Sequence, residues 1–257
     1  MRTRIASWLI GFLCLAAPSP VFADFTIVQR TTFDLSQVTV MGSPASAETL
    51  DMIKKSPLLG GANGLDITIQ ASGDNVRCDT PIVATIVDMK KKEENVLFPK
   101  TRQYMVSDLP TNQIAEILAG ATAVVTDAKQ KKTILGHEAH LYNFTIENAL
   151  VTITGGAWLA ADLPELPGVA LSASNPLLGY IQSQVKGFPL ETAATVDMQA
   201  LFGKVSLRCV ANRLSTDPIP AAAFAVPSDY TKTDTAPPGT LDLGVPDPSQ
   251  LAPGAKS

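Results

Sequence analysis

Two histidines have the spacing that comes closest to a site able to do chemistry. His137 and His140 lie in the run His-Glu-Ala-His. An i,i+3 pair meets on one face of a helix, but the residues that follow, Leu141 to Ile146, are strand-like, and on a strand such a pair points to opposite faces. A zinc-protease motif needs histidines at i,i+4. The spacing therefore favours surface or turn histidines, and no metal site is predicted.

Other signatures of catalysis and cofactor binding are equally weak in this sequence. It has no Gly-x-Ser-x-Gly elbow and no cysteine beside a plausible base. The run from Gly60 to Gly64 is rich in glycine, but no Lys-Ser/Thr pair follows it as in a phosphate-binding loop. We therefore predict no catalytic residues and no cofactor. An enzyme whose site is assembled from distant strands remains an alternative.

The N-terminus has the layout of a secretory signal peptide. Arg2 and Arg4 provide a positive charge, and the stretch from Ile5 to Ala17 is apolar apart from one serine. That run is too short for the roughly 20 apolar residues that cross a bilayer, and prolines follow it. We predict export to the periplasm with cleavage after Ala23, and no transmembrane segment in the mature protein.

Two cysteines remain once such a signal is removed, because Cys14 lies within it. Strand-like alternation places Cys78 on one face with Val76, and Cys209 on one face with Leu207. Both cysteines therefore point to apolar faces in a compartment that is expected to be oxidising. This pattern predicts a disulfide between Cys78 and Cys209, with two free thiols as the alternative.

Charge and length limit the classes of protein further. Without residues 1–23 the chain has 18 basic and 24 acidic residues, a net charge of −6 that disfavours a nucleic-acid partner. The remaining residues suffice for one large domain. The predicted organisation is a signal peptide over 1–23, a single β-rich domain over 24–231, and a disordered proline-rich tail over 232–257.

Strand-like patterns dominate the predicted domain. Leu65, Ile67 and Ile69 alternate with polar residues, and a turn then leads into Val76, which predicts a hairpin. The apolar run Ile82–Asp88 is typical of a strand buried on both faces. Further strands are predicted over Val96–Phe98, Glu138–Glu147, Leu150–Ala161, Leu190–Ala200 and Lys204–Leu214.

Helical patterns are short and lie between these strands. Ala47–Lys55 follows Ser46, a suitable N-cap, and two further helices are predicted over Thr111–Ala119 and Leu177–Lys186. The predicted fold is mainly β (α+β), a large curved antiparallel sheet or half-barrel with short helices on its concave face.

A sheet of this composition has a smooth aliphatic face. That face is either simply the core or the lining of a cavity that holds an apolar ligand. The residues predicted to form such a ligand face are Leu65, Ile67, Ile69, Val76, Trp158, Val205 and Leu207.

Several stretches, in their order along the chain, resemble a family of exported bacterial proteins of unknown function that is itself similar to the periplasmic lipoprotein-carrier superfamily. The stretches that carry the resemblance are Gly73–Arg77, Ile86–Asp88, Leu97–Tyr104, Ile134–Tyr142, Ala157–Ala160, Gly187–Leu190 and Phe224–Tyr230. The resemblance implies a half-barrel with helices plugging its concave side and a role in carrying something hydrophobic. It also raises Arg77 as a contact for a ligand head group, although alternation places Arg77 opposite Cys78.

The functional expectation is therefore a soluble, non-catalytic periplasmic protein that binds or carries a lipid, an acyl chain or another apolar ligand. The alternative from a different class is a structural or interaction module of the cell envelope, which binds an envelope protein and no small molecule.

Overall fold

The computed structural model describes residues 22–40, 42–55, 64–108, 121–149, 151–163, 185–198 and 203–237. Four predicted segments lie wholly or mostly outside these ranges. They are the signal peptide over 1–23, the helices over Thr111–Ala119 and Leu177–Lys186, and the disordered tail over 232–257. Where these segments are described, residues 22 and 23 lie in the first strand and Lys232 lies in the last strand, so the predicted disorder does not hold at the start of the tail.

The described part of the chain is mainly β, as predicted, and the strands that the sequence predicts lie within about three residues of their observed bounds. The strands at Phe22–Asp34, Gln103–Asp108 and Thr122–Ile134 were not predicted. The long strands and their neighbours are β1 Phe22–Asp34, β4 Leu65–Gly73, β5 Asn75–Asp79, β6 Ala84–Asp88, β7 Glu93–Phe98, β8 Gln103–Asp108, β9 Thr122–Ile134, β10 His137–Glu147, β11 Thr152–Ala160, β12 Phe188–Met198 and β13 Gly203–Ser215. The two-residue strands are β2 Thr39–Val40, β3 Ser43–Pro44 and β14 Thr231–Lys232.

One sheet contains twelve of these strands and does not close, in the order β14-β8-β7-β6-β5-β4-β1-β13-β12-β11-β10-β9. Strands β4 to β8 and strands β9 to β13 are two antiparallel meanders. The N-terminal strand β1 joins them by pairing with β4 on one side and β13 on the other. The sheet is mixed because β14 runs parallel to β8.

One face of this sheet, here called the core face, carries the main apolar contacts. A first core cluster includes Phe25, Ile27 and Ile69 from β1 and β4. A second core cluster includes Phe144 and Ile153 from β10 and β11. Strand pairing connects the two clusters, since β1, β13, β12, β11 and β10 are successive neighbours in the sheet. The strands thus share one largely apolar surface, as their alternating sequences predict.

Side chains from non-adjacent strands converge on the core face. The rings of Phe25 on β1 and Phe188 on β12 have centroids 5.1 Å apart in an edge-to-face arrangement, although β13 lies between the two strands. Neighbouring strands are about 4.8 Å apart, so two steps would separate the backbones by roughly 10 Å. Register shifts, one of them between Val28 and Gln29, also interrupt the ladders. Bulges of this kind bend a sheet.

The opposite face, here called the outer face, carries a smaller apolar cluster beneath the C-terminal segment. Ala84, Ile86 and Leu97 pack there against Phe224 and Tyr230. Phe224 ends the 3-10 helix Ala221–Phe224. Because Val87 belongs to the first core cluster, strand β6 is buried on both faces, which confirms the interpretation of the run Ile82–Asp88.

One of the predicted helices is present in the described ranges. The helix α1 spans Ala47–Lys55, and the Ser46 hydroxyl accepts a hydrogen bond from the Thr49 amide at 3.1 Å, which confirms the predicted N-cap. The predicted covering of the core face by short helices is not seen among the described residues. The 3-10 helix instead lies on the outer face, because its Phe224 packs there.

Candidate functional site

A group of polar side chains lies on the core face between the two core clusters. Thr31 on β1 is the register partner of Cys209 on β13, and Cys209 is the partner of Thr192 on β12. Gln29 lies one core-face position from Thr31, and its side-chain amide donates to the Pro189 carbonyl at 3.0 Å. We call Gln29, Thr31, Thr192 and Cys209 the polar seam. All four are buried, with exposed fractions of 5% or less.

Two hydroxyl groups of the polar seam lack a strong hydrogen-bond partner. The Oγ1 atoms of Thr31 and Thr192 are buried, and neither has a partner with the geometry of a normal hydrogen bond within the part of the chain that the structure describes. Thr31 does interact with the Cys209 thiol, but sulfur is only a weak acceptor. A buried polar group without a partner costs about 1 to 3 kcal/mol. Burial also raises the pKa of the Cys209 thiol, a shift that the Thr31 hydroxyl opposes. The thiol is therefore neutral at physiological pH.

The predicted disulfide between Cys78 and Cys209 is wrong in this structure, which contains no bond between them. The reason is the sheet order. Cys78 lies on β5 and Cys209 on β13, and strands β4 and β1 separate them. Three steps of about 4.8 Å put the two backbones well beyond the roughly 7 Å that a disulfide spans. Alternation correctly indicated two buried cysteines, but it could not show that they lie on distant strands.

Most of the predicted apolar-face residues do lie on the core face. Ile67, Ile69 and Val76 belong to the first core cluster, and Leu65 packs against it. Leu207 packs against the second core cluster, and Val205 occupies the same face of β13 by alternation. The structure therefore brings these six residues to one surface, three on β4, one on β5 and two on β13.

Trp158 is the exception, because its predicted position on the apolar face is wrong. Its neighbours Ala157 and Leu159 belong to the second core cluster, so Trp158 points to the outer face. There the Lys132 ammonium lies 4.2 Å from the centre of its ring, a cation–π contact. Lys132 also forms an ion pair with Glu191, and Arg208 donates to Glu191 at 2.8 Å. Trp158 therefore belongs to a charged cluster on the outer face.

The outer face also carries an open groove of about 520 Å³ that spans β1, β11, β12 and β13. Short side chains form most of it, and the hydroxyls of Thr195 and Ser206 are 2.9 Å apart within it. The lining residues are Thr32, Phe33, Asp34, Thr154, Gly155, Ala193, Ala194, Thr195, Ser206, Leu207 and Arg208. By alternation, most of these side chains face away from the two core clusters, so this groove lies on the face opposite the predicted ligand face.

Arg77 fixes the C-terminal segment against the outer face. Its guanidinium contacts both carboxylate oxygens of Asp79, with a shortest distance of 2.8 Å, and donates to the Ala223 carbonyl at 2.8 Å. The hydrogen bond and the charge of Asp79 hold the pKa of Arg77 above its usual value. Arg77 is therefore engaged within the chain, on the face opposite Cys78, and it does not reach the polar seam.

Replacing Arg77 with methionine is expected to loosen this segment. The amide of Thr231 donates to the Arg102 carbonyl at 2.9 Å, and its hydrogen exchange reports how firmly β14 is attached. We expect exchange at Thr231 to accelerate about fivefold or more, the equivalent of about 1 kcal/mol, because a charge-assisted hydrogen bond is lost. Arg30→Met is the control, since it removes an exposed pair with Asp66 and should leave Thr231 unchanged. Equal effects of the two variants would contradict this role of Arg77.

Glu94 is a buried carboxyl group on the core face of β7. It is 6% exposed, and its register partner Val87 belongs to the first core cluster. Burial raises its pKa, and a hydrogen bond from the Ser107 hydroxyl, 3.5 Å long, opposes that shift only weakly. The folded state therefore retains the proton of Glu94 to a higher pH than the unfolded chain does.

Removal of this charge changes how stability depends on pH. Because the pKa of Glu94 is higher in the folded state than its unfolded value near 4.5, the protonated carboxyl adds to the free energy of unfolding at low pH. That contribution is lost as the pH rises through the pKa of the folded state. We expect Glu94→Gln to abolish that loss and to exceed the wild type by about 1 kcal/mol in free energy of unfolding at pH 7.5. Urea titrations at several pH values measure this difference.

Glu138→Gln provides the control for this prediction. Hydrogen bonds from Lys131 and His140 lower the pKa of Glu138, which is exposed. Glu138 therefore adds to the free energy of unfolding at neutral pH and loses this contribution on acidification. This pH dependence is opposite to that of Glu94. If Glu94→Gln does not increase the free energy of unfolding at pH 7.5, or increases it equally at pH 4 and pH 7.5, the pKa of Glu94 is not raised by burial.

The two histidines lie on strand β10 in ordinary polar contacts. His137 Nδ1 is 2.8 Å from Asp162, and His140 Nε2 is 3.0 Å from Glu138. Among the described residues, no group of three or more histidine, cysteine or acidic side chains is arranged to hold a metal ion.

Comparison with known proteins identifies no family for this chain. The chain matches no family model, and no curated protein is detectably similar to it. The resemblance to lipoprotein carriers therefore stays a prediction from the sequence. Within the described ranges, no helix has the length and apolar character to cross a membrane.

Proposed function

We propose that this protein is a soluble, non-catalytic periplasmic protein that binds or carries a lipid, an acyl chain or another hydrophobic ligand on the core face of a half-barrel. The observation that carries the proposal is the single apolar face of an unclosed sheet, which both core clusters share. Large sheets that hold apolar ligands present such a face. The convergence of Phe25 and Phe188 supports a concave core face.

The polar seam supports the same proposal. In a core that serves only packing, valine would fill the positions of Thr31 and Thr192 without leaving an unsatisfied hydroxyl. Buried polar groups without partners are uncommon in native proteins and call for an explanation, of which a bound group is one. The compartment rests on the signal peptide that the sequence predicts.

Two adjacent alanines on β12 allow a matched test. Ala194 is 5% exposed and belongs to the second core cluster, whereas Ala193 is exposed on the outer face. Residues 24–257 would be titrated with N-phenyl-1-naphthylamine, an uncharged apolar dye whose fluorescence rises in apolar surroundings. We expect saturable binding that Ala194→Leu weakens about tenfold by occupying space, and that Ala193→Leu leaves unchanged. Circular dichroism verifies that both variants fold.

Two results would contradict the proposal. The wild type would show no saturable binding of the dye, or the two alanine variants would affect binding equally. The second result would place the dye on the outer groove, which Ala193 also lines.

One observation favours the alternative, an interaction module of the envelope. Strand β9 is the last strand at its end of the sheet and is thirteen residues long, and Val124 on it is 55% exposed. A long edge strand can pair with a strand from a partner. In that case Val124→Lys should abolish capture of a defined envelope protein by the purified chain, with dye binding unaffected.

A further inference from the structure

The polar seam has the properties of a recognition site within the proposed apolar surface. Thr31, Cys209 and Thr192 follow one another in register across β1, β13 and β12, so the three side chains form a row on the core face. The first core cluster lies on one side of this row and the second on the other. An apolar ligand that contacts both clusters would therefore cross the row.

The two hydroxyl groups in this row lack strong hydrogen-bond partners. Thr31 is 5% exposed and Thr192 is 1% exposed, and neither Oγ1 atom makes a hydrogen bond of normal geometry within the described ranges. The contact of Thr31 with the thiol of Cys209, a weak acceptor, leaves most of its hydrogen-bonding capacity unused. A hydroxyl both donates and accepts, so a ligand hydroxyl or carbonyl oxygen would satisfy it. Gln29 is different, because its side-chain amide already donates to the Pro189 carbonyl.

Charge limits the chemistry of the group that can bind here. The buried polar or charged residues in the described part of the chain are Gln29, Thr31, Glu94 and Thr192, with no lysine or arginine among them. Burial of a carboxylate or phosphate without a cation is strongly unfavourable. The neutral thiol of Cys209 supplies no positive charge either.

We propose that Thr31 and Thr192, with Cys209 between them, bind the uncharged polar group of an apolar ligand, a hydroxyl or a carbonyl oxygen such as that of an alcohol, an ester or an amide. This inference rests on the proposed function, because it names the ligand class for the same core face. It selects neutral amphiphiles against free fatty acids, which are charged at neutral pH.

The test compares variants of matched shape. Valine has nearly the shape of threonine without the hydroxyl, so Thr31→Val/Thr192→Val removes only the hydrogen-bonding groups. Thr26→Val/Thr195→Val is the control, since these threonines lie on the same two strands but on the outer face. Each protein, as residues 24–257, would be saturated with N-phenyl-1-naphthylamine at pH 8, and decan-1-ol or decanoate would then be used to displace the dye.

We expect decan-1-ol to displace the dye from the wild type at a concentration at least about ten times lower than decanoate, a difference of about 1.4 kcal/mol. The double variant at Thr31 and Thr192 should still bind the dye saturably, and its affinity for decan-1-ol, corrected for any change in its affinity for the dye, should fall about tenfold. The control variant should retain both affinities. Single variants at Thr31 and Thr192 should each show part of the loss.

The contradicting results separate this inference from the proposed function. If the wild type does not bind the dye, the proposed function fails. If the dye binds but the variant at Thr31 and Thr192 keeps full affinity for decan-1-ol, the inference is wrong and the proposed function stands. A double variant that is more stable yet unchanged in binding would show that the hydroxyls hold only water.

Discussion

Gly155→Ala is expected to destabilise the protein by about 3 kcal/mol or more, because strand β11 leaves no space for a side chain at this residue. A Cβ atom there would lie 2.2 Å from the Ala193 carbonyl oxygen and 2.8 Å from both the Ala194 Cα and the Phe144 ring. Two of these three atoms belong to the backbone of β12, which cannot move away without breaking the β11–β12 ladder. Urea denaturation followed by circular dichroism measures the loss.

The neighbouring residue provides the control. A Cβ atom at Gly156 would meet the ends of the Leu141 and Asn143 side chains at 3.1 and 3.3 Å, and side-chain ends can shift. Gly156→Ala should therefore change the free energy of unfolding by less than about 1 kcal/mol, with some gain from reduced chain entropy in the unfolded state. If Gly155→Ala cost no more than Gly156→Ala, β11 and β12 would not approach as closely as described.

Phe188→Ala is expected to cost about 3 to 5 kcal/mol, the usual range for removing a fully buried aromatic ring. Phe188 is fully buried, belongs to the first core cluster and contacts Phe25 across the end of β13. Loss of this ring would leave a cavity between β1 and β12, which are not neighbours in the sheet. The midpoint and slope of urea denaturation give the change in the free energy of unfolding.

Phe224→Ala tests whether this cost is specific to the core face. Phe224 is only partly buried, in the outer cluster beneath the C-terminal segment. Its removal should cost about 1 to 2 kcal/mol, clearly less than removal of Phe188. Equal losses from the two variants would contradict the convergence of β1 and β12 on the core face.

Local patterns were sufficient to predict much of this fold. The hairpin of β4 and β5, the helix α1 with its Ser46 cap, and the long strands of the second half all depend on alternation, capping and turn residues close in sequence. Such signals involve residues close in sequence, so they can be recognised without knowing which strands pair. The nearly continuous apolar run Ile82–Asp88 even indicated a strand buried on both faces.

The sheet order could not be predicted in the same way. Strand β1 buries Phe25, Ile27, Gln29 and Thr31 at alternate positions, but no strand is predicted there from the sequence. Its two partners, β4 and β13, lie far apart in sequence, and no local signal specifies that β1 joins them. The false disulfide has the same origin, because alternation gives the face of a cysteine but not the neighbouring strand.

The polar seam was missed for a related reason. Gln29 and Thr31 occupy core-face positions in an otherwise apolar alternation, a signal that was present in the sequence. Thr192 likewise alternates with Leu190 and Ala194. Only the pairing of β1 with β13 and of β13 with β12 brings these polar residues together. Trp158 was misplaced because its neighbours Ala157 and Leu159, rather than Trp158 itself, occupy the core face.

Native mass spectrometry of the protein purified without detergent tests the central claim most directly. The proposal predicts a fraction of molecules whose mass exceeds that of residues 24–257 by one apolar ligand, which organic solvent extracts and which carries a hydroxyl, ester or amide. Delipidated protein should bind one equivalent of decan-1-ol. Protein that carries no extractable ligand and that, after solvent treatment and refolding, binds no neutral amphiphile would contradict the claim.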